Sequence, residues 1–275
     1  MNTQHVAQKK FKLEKRIGSG AFGDIYEGHE LMTGKPVAIK LEKVGARYPQ
    51  LGYEARIYHA LQNDMHTFIP KMHYFGTEGA YNILVMDRLG NNMEQVRTTM
   101  PNQCFKLKHI KQLAQNMFHI LESFHDSGFV HRDIKPENIL TSYTSSSLSK
   151  IYLIDFGLSK YMRHPVSGIH IPFKTGKNLT GTPRYASIAN HKGREQGRRD
   201  DIEGLGYVLL YLLYGSLPWQ HLQNYSKILE EKQKSLRTGK LGEHMPSMLR
   251  RFFRYVFTLN FEDRPNYNYM RSLFQ

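Results

Sequence analysis

Residues 131–138 read His131-Arg132-Asp133-Ile134-Lys135-Pro136-Glu137-Asn138, which sets four formal charges and an amide directly after an apolar helical pattern ending in SGFV. A solvated loop explains most charged octapeptides, so the flanking sequence must decide whether this one does more. Upstream, Leu107, Ile110, Leu113, Met117, Leu121 and Phe124 recur at helical spacing and predict a long amphipathic helix stopped by Gly128. Downstream lies IDFG (154–157), with Asp155 seventeen residues beyond Asn138, room for a strand–turn–strand. At roughly 5% per position, the joint match of His131, Arg132, Asp133, Lys135, Asn138, Asp155, Phe156 and Gly157 has odds on the order of one in 10¹⁰ for any given placement. The solvated loop is the weaker reading.

The charges then have assigned chemistry. Asp133 is placed to accept a hydroxyl proton, and Lys135 to steady a transferred phosphoryl group. Asn138 and Asp155 supply the hard oxygens that Mg²⁺ requires.

Working outward, the first ninety residues read as strands: FKLEKRIG, GDIYEG, KPVAIKLE and YNILVMD. One helical pattern interrupts them, at Leu51, Ala55, Tyr58 and Leu61. After LGNN (89–92) the pattern turns helical, with further buried helices over 202–214 and 246–257. The expectation is an α+β chain with a small β-rich lobe, a short hinge and a larger, mainly helical lobe. In residue terms this is an N-terminal extension (1–10), a first lobe (11–86), a hinge (87–90) and a second lobe (91–275). The polar run TSYTSSSLS (141–149) reads as a hairpin turn closing with IYLID, a plain loop whose hydroxyls are also open to phosphorylation. No internal repeat is visible.

GSGAFG (18–23) matches G-x-G-x-x-G, weak evidence alone. It lies between two strand patterns, which favours a β-hairpin lid over phosphates above a dinucleotide fold. Glycine lets backbone amides approach an anion without an intervening Cβ. In VAIK (37–40), Val37, Ile39 and Leu41 share one strand face, and Ala38 and Lys40 the other. Lys40 fits a nucleotide cleft or, equally, a surface lysine at a strand edge. Glu54, on the following helix, is positioned to pair with it, or is an ordinary polar helix residue.

Composition sets outer bounds. With 40% apolar and 23% charged residues over 275 positions, the chain is globular rather than disordered. Its most apolar segment, GYVLLYLLYG (206–215), is too short to span a bilayer, and the N-terminus has no apolar core of signal-peptide length. The single cysteine, Cys104, excludes an internal disulfide and fits a reducing compartment. The net charge of +14 is uneven: residues 158–199 hold nine Lys/Arg against Glu195 alone, +8 of the total. Such crowding calls for an anionic visitor: nucleic acid, lipid, or an acidic or phosphorylated protein.

With these residues assembled, the chain resembles the eukaryotic protein kinases over residues 11–275, in the order and spacing of Gly-rich loop, VAIK, helix glutamate, HRD…N and DFG. It is more closely similar to the casein kinase I family, through GSGAFGDIY, PQLGYEARIY, HRDIKPEN, NLTGTPRYASI, EQGRRDDIE, LGYVLLY and GSLPWQ. The resemblance implies a bilobal fold, ATP and Mg²⁺ as cofactors, and transfer to Ser/Thr of protein substrates. It places Asp133, Lys135 and Lys40 in catalysis. Nucleotide contacts fall to Ile17, Gly18, Ser19, Gly20, Gly23, Ile25, Ala38, Lys40, Glu54, Met86, Leu89, Asn138 and Asp155, with Asn138 and Asp155 on the metal. Met86 matches the gatekeeper and Leu89 the hinge residue whose backbone meets the purine; either also fits simple core. Asp201 matches the aspartate that braces the catalytic loop.

The departures are informative. The Ala-Pro-Glu of most kinases is missing, and where casein kinase I has Ser-Ile-Asn this chain reads Ser187-Ile188-Ala189-Asn190. That leaves the anchoring of the segment open, and Arg264, whose counterpart pairs with the absent glutamate, has no assigned partner. The resemblance also gives the basic cluster a use: Arg132, Lys160, Lys174, Lys177 and Arg184 are expected to bind the anion of acidic or phospho-primed substrates. A rival reading has the same cations receive a phosphate on Thr175, Thr180 or Thr182. A pseudokinase would need a lost catalytic residue, and none is lost. A nucleic-acid binder would need a stacking platform, and Tyr161, Phe173 and Tyr185 are too scattered for one. The expectation is an intracellular monomeric kinase domain, in the cytoplasm with the nucleus left open, acting on proteins and not on nucleic acid.

Overall fold

The computed structural model describes residues 5–20, 23–63, 66–145, 147–164, 166–238 and 245–275. Ala21 and Phe22 of the glycine motif, Ser146 of the serine-rich run and the first four residues of the N-terminal extension lie outside them. In chain order the elements are β1 (His5–Val6), β2 (Phe11–Gly20), β3 (Gly23–Glu30), β4 (Pro36–Lys43), α1 (Leu51–Asn63), β5 (Met72–Glu78) and β6 (Tyr81–Asp87). There follow α2 (Met93–Thr99), α3 (Leu107–Asp126), β7 (Phe129–Val130), β8 (Ile139–Thr141), β9 (Ile151–Leu153) and β10 (Lys160–Tyr161). Helices α4 (Ile188–His191), α5 (Arg198–Tyr214), α6 (Tyr225–Thr238), α7 (Ser247–Val256) and α8 (Tyr267–Leu273) complete the chain. It divides into two compact units: Met1–Gly90 with Leu140–Ser146 and Tyr152–Gly157, and Asn91–Ile139 with Ser147–Ile151 and Leu158–Gln275.

The first unit is built on a six-stranded sheet in the order β1-β2-β3-β4-β6-β5. Period-two alternation decides which face each residue takes. Val37, Ile39, Ile83 and Val85 are buried together, with Val6, Ala7 and Phe11 packed on them and Leu41 at the margin. β1 comes from the stretch expected as an extension, and Val6 pairs with Phe11. Lys40, one residue out of phase with Ile39, falls on the opposite face and pairs in register with Ile25 and Leu84. The glycine motif sits within the β2–β3 hairpin, where Gly18 pairs with Ile25, Ser19 with Asp24 and Gly20 with Gly23. Gly23 is required here by strand packing: at φ 131° a Cβ would lie 2.0 Å from the Leu41 carbonyl oxygen.

The second unit is mainly helical. Asn92, read as turn, caps α2 in a reciprocal capping box with Gln95. α3 buries the expected stripe at Ile110, Leu113, Met117, Leu121 and Phe124, while Leu107, in its first turn, is exposed. α5 begins four residues before the expected 202, because Asp200 accepts from the Gly197 N–H at 2.8 Å, and it ends on Gly215 at φ 78°. It is buried nearly throughout and packs on α3 and α7, so it forms the axis of this unit. α2, α4, α6 and α8 have no counterpart among the expected helices. This is the expected α+β class, with a β-rich first unit and a mainly helical second. No helix among the described residues is long and apolar enough to cross a membrane.

Candidate active site

In the first unit the site is organised around Lys40. Its Nζ lies 2.6 Å from Glu54 Oε2 and 3.3 Å from Asp155 Oδ1, so β4, α1 and the turn after β9 meet on one ammonium. Burial disfavours that charge, but the two carboxylates outweigh it and hold the lysine above its ordinary pKa. The surface-lysine alternative is therefore removed. Asp155 takes a left-handed backbone, φ 66°, as does Arg132 at 68°. Non-glycine residues in that region are uncommon and concentrate at functional sites.

The remaining nucleotide-binding candidates of this unit are placed as follows. Met86 is buried and pairs with Ala38 across the β4–β6 ladder. Leu89 is buried, and its carbonyl accepts from the guanidinium of Arg88. Ile17 is exposed and Ile25 half-buried. Gly18 has room for a Cβ, 3.6 Å from Ile25, so packing alone does not require glycine there.

In the second unit the charged octapeptide is no solvated loop. Asp201, at the start of α5, accepts from the N–H of His131 at 2.7 Å, the N–H of Arg132 at 2.8 Å and Nε2 of His125 at 2.9 Å. Asp133 is buried; Lys135 Nζ donates to its Oδ2 at 2.5 Å, while the N–H and Oγ1 of Thr182 each donate to Oδ1 at 2.8 Å. Asn138 turns its amide nitrogen to the Asp133 carbonyl at 3.0 Å, which leaves its side-chain oxygen as the group able to serve a metal.

The segment after Asp155 answers the two questions the sequence leaves open. Asn190 exchanges both amide hydrogen bonds with Thr180: Nδ2 donates to the carbonyl at 2.7 Å, and Oδ1 accepts from the N–H at 3.3 Å. Ser187 caps α4 and donates to Asp200 Oδ1, and the Ile188 N–H donates to Glu203 Oε1 at 2.7 Å. Burial pushes the Asp200 carboxyl up to about 6, against the donors from Gly197 and Ser187. The shifted amide thus still anchors the segment. Arg264 pairs instead with Asp126 at 2.8 Å and Glu122 at 3.1 Å, both on α3.

Of the anion-binding candidates, Lys160 and Lys177 are brought together by a carboxylate, at 2.9 and 3.5 Å from Glu195. Burial works against Glu195 ionisation, but the two lysines keep its pKa low. Arg132 Nε donates to the Leu158 carbonyl at 2.7 Å. Arg184 lies over the rings of Tyr185 and Tyr211, at 5.7 and 5.5 Å, and Lys174 is exposed. Sequence reasoning misses Glu203, Trp219 and Lys232, which converge on residues 183–188. The signal is present in α6: Ile228, Lys232 and Ser235 occupy its buried stripe at helical spacing.

A buried lysine held by two carboxylates suits nucleotide phosphates, and a carboxylate braced in a hydroxyl-accepting loop suits a phosphoryl acceptor; together they point to the phosphotransferases. A protein-family model described as the protein kinase domain matches residues 11–273, and the chain belongs to that family. Membership brings ATP as phosphoryl donor, typically with Mg²⁺, and proteins as acceptors.

Proposed function

We propose that the chain is a serine/threonine protein kinase of the casein kinase I type, transferring the ATP γ-phosphate to hydroxyls in acidic or phospho-primed proteins. The observation that carries this reading is the setting of Asp133, whose Oδ1 already accepts an aliphatic hydroxyl, Thr182 Oγ1, at 2.8 Å. A carboxylate so placed can take the proton of an incoming Ser or Thr hydroxyl. Lys135 steadies the phosphoryl group in transit, and Lys40, held by Glu54, grips the nucleotide phosphates.

The residues fit the metal as well. Mg²⁺ is usually held by one or two side-chain oxygens with phosphates completing its shell, and by donor chemistry the Asn138 oxygen and the Asp155 carboxylate are each of the kind it takes. Bound there, the ion would neutralise charge on the phosphate oxygens. The glycine hairpin, Ile17, Ile25, Ala38, Met86 and Leu89 receive the nucleotide. A purine would meet the Leu89 N–H or displace Arg88 from its carbonyl.

The casein kinase I assignment draws support from Asn190, which does in this chain what an anchoring amide should. Substrate anions are taken by Arg132, Lys160, Lys174, Lys177 and Arg184, with Glu195 to be displaced or shared. Thr182 is committed to Asp133, which weakens the rival reading of it as a phosphorylation site. The reading is of an intracellular, monomeric enzyme of cytoplasm or nucleus, and the single cysteine suits a reducing compartment.

Phosphate incorporation into matched primed and unprimed peptides tests catalysis and substrate class together. Asp133→Asn should lower kcat by roughly 10²–10⁴-fold, as for a lost acid–base group. Wild-type incorporation by that variant, or equal KM for the two peptides in the wild-type enzyme, would overturn the corresponding half of the reading.

A further inference from the structure

The backbone between Thr182 and α4 is gripped from outside. Lys232, on α6, is fully buried; its Nζ donates to the Pro183 carbonyl at 2.9 Å and to the Ala186 carbonyl. Trp219 Nε1 donates to the Arg184 carbonyl between them at 2.8 Å. The same ammonium lies 4.7 Å from the Tyr207 ring centroid, 5.4 Å from that of Trp219 and 3.3 Å from His191 Nε2. Lysine almost never gives up all contact with water, because its long stem lets the charge reach the surface. Here carbonyls, an imidazole nitrogen and aromatic faces replace the solvent, and burial pushes the lysine pKa down to about 7 although the Glu203 carboxylate opposes it.

The gripped loop is continuous with the catalytic carboxylate. Tyr185 and Ala186 donate their N–H groups to the Thr182 carbonyl, each at 3.0 Å, and Thr182 donates twice to Asp133. An ammonium that fixes Pro183 and Ala186 therefore fixes the turn that carries Thr182. The chain lacks the glutamate that would pair with Arg264, and Arg264 is engaged on α3.

We propose that Lys232 is a positioning residue for phosphoryl transfer, clamping loop 183–186 so that Thr182 stays on Asp133 and the acceptor hydroxyl meets a fixed carboxylate. The clamp replaces an ion pair with N–H donation from one amine to two backbone carbonyls. The inference rests on Asp133 as proton acceptor.

Lys232→Ala removes the side chain beyond Cβ, and 1-propylammonium supplies what is missing. The variant, folded by its thermal melt and circular dichroism, should lose about 100-fold in kcat on an unprimed peptide, the scale of a misplacement of about 1 Å, with KM for ATP unchanged. Propylammonium should recover about tenfold of that loss, and 1-propanol less, because the amine head offers several N–H donors for the two carbonyls and the alcohol a single O–H. Wild-type kcat in the variant, or no more rescue by propylammonium than by propanol, overturns the proposal. Should Lys232→Ala not fold, Lys232→Met keeps the stem and loses the donors. Faster amide hydrogen exchange at Tyr185 and Ala186 with reduced kcat is then expected, and wild-type values of both overturn it. Asp133→Asn run alongside separates the two readings. If it retains wild-type kcat, the role of Asp133 fails, while the exchange measurement still judges the clamp.

Discussion

Asp201 has no contact with solvent worth the name, yet it accepts from His125 and from the N–H groups of His131 and Arg132. Burial raises its pKa, but the His125 partner and the His131 N–H outweigh that, so its pKa falls below the ordinary carboxylate value. A carboxylate depressed in the folded state adds stability above its unfolded pKa and loses it as pH falls through the lower folded value. Asp201→Asn should thus cost about 3–5 kcal/mol at pH 7, the scale of breaking a buried ionic contact. The gap to wild type should begin to narrow below the ordinary value of 3.8, where the unfolded chain's carboxylate protonates, and should close as the pH falls through the lower folded value. Melting temperatures of both proteins across pH 3–7 measure this, and a constant gap would deny the charge its role. Arg264 is the contrasting case: half exposed, it should cost only about 0.2–1 kcal/mol as Arg264→Ala in chemical denaturation, despite its two carboxylate partners. Asp201 is readable from its position in RRDD, because a motif fixes it. The partners of Arg264 are not, since Glu122 and Asp126 are ordinary polar positions on α3.

Among the elements, legibility follows periodicity. β4 alternates strictly, so the amino-acid pattern alone assigns Ile39 and Lys40 to opposite faces; α3 carries an unbroken apolar stripe and is equally plain. α6 escapes such a reading because the stripe that should announce it contains Lys232 and Ser235, two polar residues among its buried positions. The glycines divide in the same manner. Gly18 and Gly23 both fit a hairpin that serves an anion, but Gly23 is compelled by the Leu41 carbonyl, a contact made by a neighbouring strand and invisible in one dimension. Gly206 is a cleaner instance, since a Cβ there would stand 2.7–2.9 Å from the rings of Phe252 and Phe253. Gly206→Ala should therefore destabilise by about 1–3 kcal/mol through overpacking of α5 against α7, although alanine is the better helix former. Urea denaturation decides the sign, and a stabilised variant would show that the phenyl rings can yield.

On the scale of the whole molecule, charge is the property the sequence declares most openly and locates least well. The +14 and its concentration over residues 158–199 are counted directly, but the pairing within that segment is not. Glu195, its only acid, sits between Lys160 and Lys177 and already neutralises part of the cluster, whereas Lys174 and Arg184 have no such bridge to it. An anionic substrate entering this region gains from cations that remain largely in water, and such attraction is screened as the Debye length shortens from about 10 Å at 0.1 M salt towards about 3 Å at 1 M. KM for a phospho-primed peptide should accordingly rise steeply with sodium chloride, while KM for the matched unprimed peptide moves little. Neutralising Lys177 and Arg184 together, as Lys177→Gln with Arg184→Gln, should raise the primed KM at low salt and flatten its salt dependence, with kcat nearly unchanged. The measurement is a set of initial-rate curves for both peptides at several salt concentrations. If the double variant keeps the wild-type slope, the field that draws the substrate comes from elsewhere on the cationic surface, and these two side chains serve the segment's own folding.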